Sequence, residues 1–234
     1  MEGETFFRIN GLIKLRALFL LLFISEILIY IIISTIPYSN PALVTQLRAQ
    51  ENATYSNGIF GILFSIFPHN LLIATIEFIP VIGQFFYVFS MVETPLALSA
   101  LASSTGVPGV IEFIILLIVP DTLIELPSYA VAAATSIYLI YILVKSGGVL
   151  RSKIRKVIYM YLFVVLELFI AGTFESVAID MALTLPKPES LTYTLLLWIP
   201  AIPVIYLLIR LFRRINQDEY GGKLEAVPET LGFQ

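Results

Sequence analysis

Six acidic residues stand where this chain is otherwise apolar. Glu26, Glu77, Glu112 and Glu167 fall inside hydrophobic runs, and Glu175 and Asp180 fall towards the end of one. No Lys or Arg shares those runs, so no ion-pair partner is available at the same depth. A bare carboxylate in hydrocarbon is costly, and such a side chain must be protonated, face water or hold a cation. Two chemistries stay open. One is a proton or cation path, and the other is a set of neutral acids hydrogen-bonded to neighbouring helices. Ser25 beside Glu26, with Tyr30 four residues on, can extend one of these acids into a polar stripe.

A second acidic group sits between two apolar runs, in "IVPDTLIELPSYAVAAATS" at 118–136. Thr122 and Glu125 fit a capping box, in which Thr122 caps a helix and Glu125 returns a bond to the Thr122 N–H. Pro120 ends the run before it. Pro127 has no N–H, so the Leu123 carbonyl loses its helical partner, and a helix start at Pro127 is equally allowed. Either way the backbone is broken within 120–127, and a membrane tolerates this only where protein or water satisfies the freed groups. If the helix begins at Thr122, then Asp121, Glu125 and Tyr129 lie one turn apart. Ser128, Ala132 and Ser136 follow at four-residue spacing, which permits close helix approach.

The elements that carry these residues follow from composition. Of 234 residues, 58% are hydrophobic and 13% charged, against roughly 25% charged in a soluble domain. The chain reads as an integral membrane protein, an all-α polytopic bundle of about six spans. Spans are expected at 17–36, 70–91, 108–120, 122–145, 157–182 and 193–212, the third short. Residues 37–69 form an outer loop in which 58–68 is too short to span and is expected along the outer interface or as a cap on the bundle. Residues 1–212 then make one transmembrane domain, and 213–234 a flexible cytoplasmic tail. Twelve of the fourteen Lys and Arg fall before the first span, between 145 and 156, or after the last. Six crossings put all twelve on one side, so both termini are expected in the cytoplasm of a cell-membrane protein.

The same residues exclude several functions. Cysteine is absent and His69 is the single histidine, so thiolate chemistry and histidine metal clusters are excluded. His69 reads as an interfacial cap. The Ser-Ser at 103–104 has no base in its segment, and "GVPG" is a turn rather than a phosphate loop. "RSKIRK" at 151–156 is explained by orientation, with contact to anionic lipid as the other use. Trp198 suits the outer interface. No catalytic set, cofactor or nucleic-acid partner is implied.

The junction "PDTLIELPSYAVAAAT" resembles a signature of stage II sporulation protein M-like membrane proteins. Pro120, Glu125 and Leu126 match that signature, while Asp121 and Thr122 stand where the family has His and Gly. Upstream, "FPHNLLIATIEFIPVIGQFF" is similar to the family's Asn-Asn segment, with Asn70 matching the second Asn. The resemblance covers about 66–145. It implies a small polytopic helical protein of a family that, in sporulating bacteria, works in a peptidoglycan-remodelling complex as a membrane partner of hydrolases; this chain need not share that partner. Asp121, Thr122, Glu125, Glu77, Glu112 and Asn70 are therefore the candidate functional polar junction. The leading expectation is a non-enzymatic scaffold or accessory subunit, partnered by the bilayer and by another membrane protein or a second copy of the chain. The alternative is a small proton- or cation-coupled transporter or channel that uses the buried carboxylates.

Overall fold

Within hydrocarbon a backbone must satisfy its own N–H and C=O groups, and a helix does so within one segment. The computed structural model describes residues 5–9, 12–55, 58–145 and 147–219. After a two-residue hairpin, β1 (Arg8–Ile9) against β2 (Leu12–Ile13), these residues form α1 (Leu15–Ser34), α2 (Pro41–Tyr55), α3 (Gly58–Glu77), α4 (Ile82–Thr105) and α5 (Gly109–Ile118). Then come α6 (Thr122–Lys145), α7 (Gly147–Thr184), α8 (Lys187–Leu196), α9 (Trp198–Ile215) and a 3-10 turn at Gln217–Glu219. Six stretches are long and apolar enough to cross a membrane, lying in α1, α3, α4, α6, α7 and α8–α9, while α5 is apolar but short. The chain is a multi-pass helical membrane protein.

Residues 70–91 are not one span. The helix stops at Glu77, and a new one starts at Ile82. Pro80 can neither continue a helical hydrogen bond nor leave Ile79 at ease in the helical region. The Ile82 N–H instead donates to the Pro80 carbonyl at 2.9 Å, and Val81 between them has φ +71° and ψ −57°. That is the tight three-residue γ-turn, strained for a β-branched residue. The stretch 58–68, expected along the interface, is instead the first half of α3, which runs through Pro68.

Contacts give the helix directions. Tyr87 reaches Leu22 and Glu26, and Ser99 reaches Ile36, so α4 runs parallel to α1. Gly109 lies against Ser34, and Phe113 stacks near Tyr30, so α5 runs back along α1. The next helix, α6, continues that descent, because its Tyr138 lies beside Lys156, which pairs with Glu219 at the start of α1. Helices α5 and α6 are thus two halves of one interrupted crossing, rather than two crossings in opposite directions. Phe67 packs on Phe169, and Thr75 bonds Tyr161, so α7 is antiparallel to α3.

Helix α6 is the central element: 61% of its span is buried, against 22% for α1. Ser128, Ala132 and Ser136 are fully buried, as their small size and spacing led one to expect. Ala132→Leu is expected to destabilise the bundle by about 1–3 kcal/mol through overpacking. Unchanged thermal stability in detergent would show room that the packing does not leave.

The fold extends past residue 212. Helix α9 runs to Ile215, and the turn after it docks at the start of α1. Glu219 accepts the Leu15 and Arg16 N–H groups at 2.8 and 2.9 Å, a carboxylate placed on a helix N-terminus. Lys156 donates to Glu219 and, at 3.0 Å, to Asp218, and Lys153 donates to Asp218 at 2.6 Å. Two cations of "RSKIRK" are thereby committed to the protein itself. The rest of the expected tail, 220–234, lies outside the described residues.

Candidate functional site

The interruption between α5 and α6 occupies Val119–Asp121. Val119 is extended, as a residue before proline prefers to be. The Ile118 carbonyl left without a helical partner accepts the Trp198 indole N–H at 2.7 Å. Trp198 therefore serves the break. The Asp121 carbonyl opens α6 by accepting Ile124 and Glu125 at 2.9 and 2.8 Å. Helix α6 begins at Thr122, not Pro127.

Glu125 does not complete a capping box. Its Oε1 accepts the Tyr129 hydroxyl at 2.8 Å, one turn further along. The capping pattern is satisfied in sequence, but the carboxyl turns into a cavity. That cavity, of about 340 Å³, lies between α1, α3, α4, α6 and α7. Four acids line it: Glu26 from α1, Asp121 before α6, Glu125 from α6 and Glu175 from α7. Among the described residues, no Lys or Arg lines it. Leu47 of α2 and Leu101 stand at the α2 side. Ser90 on α4 lies three turns from Leu101, about 16 Å along the axis.

Hydroxyl groups surround these acids. Tyr87 donates to Glu26 Oε2 at 3.1 Å, and Tyr30, Thr94, Thr122 and Tyr129 line the walls. Glu77 is fully buried just behind, with Oε1 accepting Ser90 at 3.1 Å. Asp121, only 7% exposed, keeps an Oδ1 with no partner, as do Glu77 and Glu175 with one Oε2 each. Buried oxygens of this kind call for a proton, a water or an ion.

The sequence candidates therefore divide. Asp121, Thr122, Glu125 and Asn70 share the cavity, with Glu77 one hydroxyl away. Glu112 does not join them. It sits in the first turn of α5, where a carboxylate complements the helix dipole. His69 also lines the cavity. Tyr87, Ser90 and Thr94 were missed, because hydroxyl residues in an apolar run give no signal until a neighbouring helix brings an acid to them. Glu26, Glu125 and Glu175 come from three helices, which spacing along one chain cannot reveal. Among the described residues no three His, Asp or Glu groups converge closely enough to share a metal ion.

A family model for stage II sporulation protein M matches residues 18–178, more than half of the chain. The chain belongs to that family. The matched segment holds every acid of the cavity, together with the break and the γ-turn. It stops before α8 and α9. The residues that carry the likeness at the junction, Pro120, Glu125 and Leu126, are those that end α5 and turn a carboxyl inward. Within this sporulation protein M-family chain, the signature therefore describes a helix break beside an acid cavity. No curated protein and no solved structure matches the chain.

Proposed function

We propose that this sporulation protein M-family chain is a proton-coupled membrane protein. Its central cavity takes up protons from the side on which α2 lies and holds them on Glu125 and Asp121. One observation carries the reading: carboxyls from four elements share a cavity at a helix break, with unpartnered oxygens and, among the described residues, no Lys or Arg in the lining. Interrupted helices are used in this way in transporters. Because the acids line the cavity without three of them converging, protons passed through water and hydroxyls fit it better than one multivalent ion. Glu125→Gln keeps the size and the Tyr129 hydrogen bond but cannot ionise. In vesicles carrying an internal pH dye, a pH step should drive proton flux that falls at least about tenfold in Glu125→Gln, a loss of about 1.4 kcal/mol in transition-state terms. Wild-type vesicles no leakier than empty ones would refute the coupling.

The second reading, an accessory or scaffold subunit of a membrane complex, is favoured by the family and by the small portions outside the spans. It requires Glu125→Gln to assemble with partners as wild type does, with no flux in either protein. Orientation bears on both readings. The charge split supports a cell-membrane protein with both termini in the cytoplasm and α2 outside. With no native cysteine, a membrane-impermeant thiol reagent should label Gln50→Cys on α2 in intact cells and spare Gln217→Cys. Labelling of the second site alone would invert the topology.

A further inference from the structure

The first turn of α6 has two sides. Asp121, Thr122 and Glu125 face the acid cavity, and Leu123, Ile124 and Pro127 face a separate groove of about 830 Å³ between α1, α6, α7 and α9. The groove is apolar along its length. Arg16, at the start of α1, and Arg213, near the end of α9, line one end. Trp198 lines the other end, fifteen residues along α9 and so about 22 Å away. One polar group intrudes: Glu167 of α7, 6% exposed, whose Oε2 has no partner. Phe163 of α7 lies against Phe212, the neighbour of Arg213. Glu167 is one turn beyond Phe163, about 6 Å deeper than the arginine end.

We propose that this groove is a binding site for one anionic membrane phospholipid, drawn from the leaflet at the arginine end. Arg16 and Arg213 take the phosphate, one acyl chain runs along α9 towards Trp198, and the glycerol region meets Glu167. The charge order fits this occupant: cations at the interface, one polar atom a turn below, then only apolar walls. Arginine forks suit phosphate oxygens, and basic pockets between membrane helices recognise lipid heads in this way. The α9 wall lies beyond the segment matched by the family, so the site is assigned from this chain's own residues.

Trp198 is the single tryptophan of the chain, so its fluorescence reports the groove directly. The protein is placed in phosphatidylcholine vesicles that hold a minor fraction of phosphatidylglycerol, and the acyl chains of one lipid or the other are brominated. Brominated phosphatidylglycerol should quench Trp198 well beyond its share of the bilayer, and brominated phosphatidylcholine only in proportion to its share. Each arginine is expected to contribute roughly fivefold to that selectivity. Arg16→Gln with Arg213→Gln should abolish the selectivity while helical content and thermal midpoint are retained, and Glu167→Leu should weaken it. Equal quenching by the two lipids, or selectivity that survives loss of both arginines, overturns the proposal. So does a disulfide-linked dimer of Ile205→Cys in the same vesicles, which would put a second copy of the chain in the groove.

Discussion

Gly83→Ala should lower the thermal midpoint in detergent on the order of 10 °C, because the added methyl meets backbone that cannot move aside. A Cβ at position 83 would stand 2.0 Å from the Glu77 carbonyl oxygen and 2.6 Å from its carbon. The Gly83 N–H is also held by the Ile79 carbonyl at 2.8 Å, so rotation away breaks the turn. Overpacking against mobile side chains costs about 1–3 kcal/mol, and a rigid backbone clash belongs at or above the top of that range. Opening the turn separates the start of α4 from the end of α3 and removes the Ser90 bond to Glu77. Gly106 supplies the control. It has φ +78°, with nothing near its added Cβ, so Gly106→Ala carries only the left-handed backbone cost of about 1–2 kcal/mol. Equal losses from the two substitutions would mean that the α3–α4 turn is looser than described.

The same turn shows where sequence reading reaches its limit. The turn itself, "FIPVIG" at 78–83, is apolar between Glu77 and Gln84, and hydropathy averages across it. Only Pro80 and Gly83 mark it, and each also occurs inside membrane helices, as Pro68, Pro95 and Pro127 do here. The count of six candidate spans agrees with the expectation only because two misreadings offset each other: 70–91 joins parts of two helices, and 108–120 with 122–145 divides one interrupted crossing. The α5–α6 break was legible, since Pro120 and a polar pair interrupt an apolar run. The direction of α5 was not, for it depends on Tyr30 and Ser34 of a distant helix. Glu125 illustrates a local rule overridden by a neighbour. Its spacing suits a cap, yet the Tyr129 hydroxyl and the acid cavity take its carboxyl. The acids were recognised individually, and their convergence came from packing. Asp218 and Glu219 read as a solvated tail because their lysines lie more than sixty residues away in sequence.

Those lysines set the second large effect. Lys156→Met keeps a long apolar side chain but removes the ammonium that lies over Tyr138 and between Asp218 and Glu219. Glu219 is 2% exposed, so the loss of its partner leaves a buried carboxylate that, among the described residues, keeps the two α1 N–H groups. Removing one member of a buried ion pair costs about 3–5 kcal/mol, and this pair also anchors the end of α9 to the start of α1. Adding Glu219→Gln should recover part of that loss, because Gln still offers an oxygen to the helix start without an uncompensated charge; the recovery expected of neighbours in one network is about 0.5–3 kcal/mol. Acid provides an independent reading. Burial alone would raise the Asp218 carboxyl, but Lys156 and Lys153 outweigh it and hold the group below its usual range. A lowered carboxyl contributes stability above its ordinary value near 3.9, and that contribution fades as pH falls through the lower folded value. Wild-type stability should therefore decline below about pH 4 with a component that Lys156→Met diminishes. Thermal unfolding followed from pH 6 to pH 3 measures both effects. A double variant no more stable than Lys156→Met, with an unchanged acid slope, would show that Lys156 does not hold the two acids as a unit.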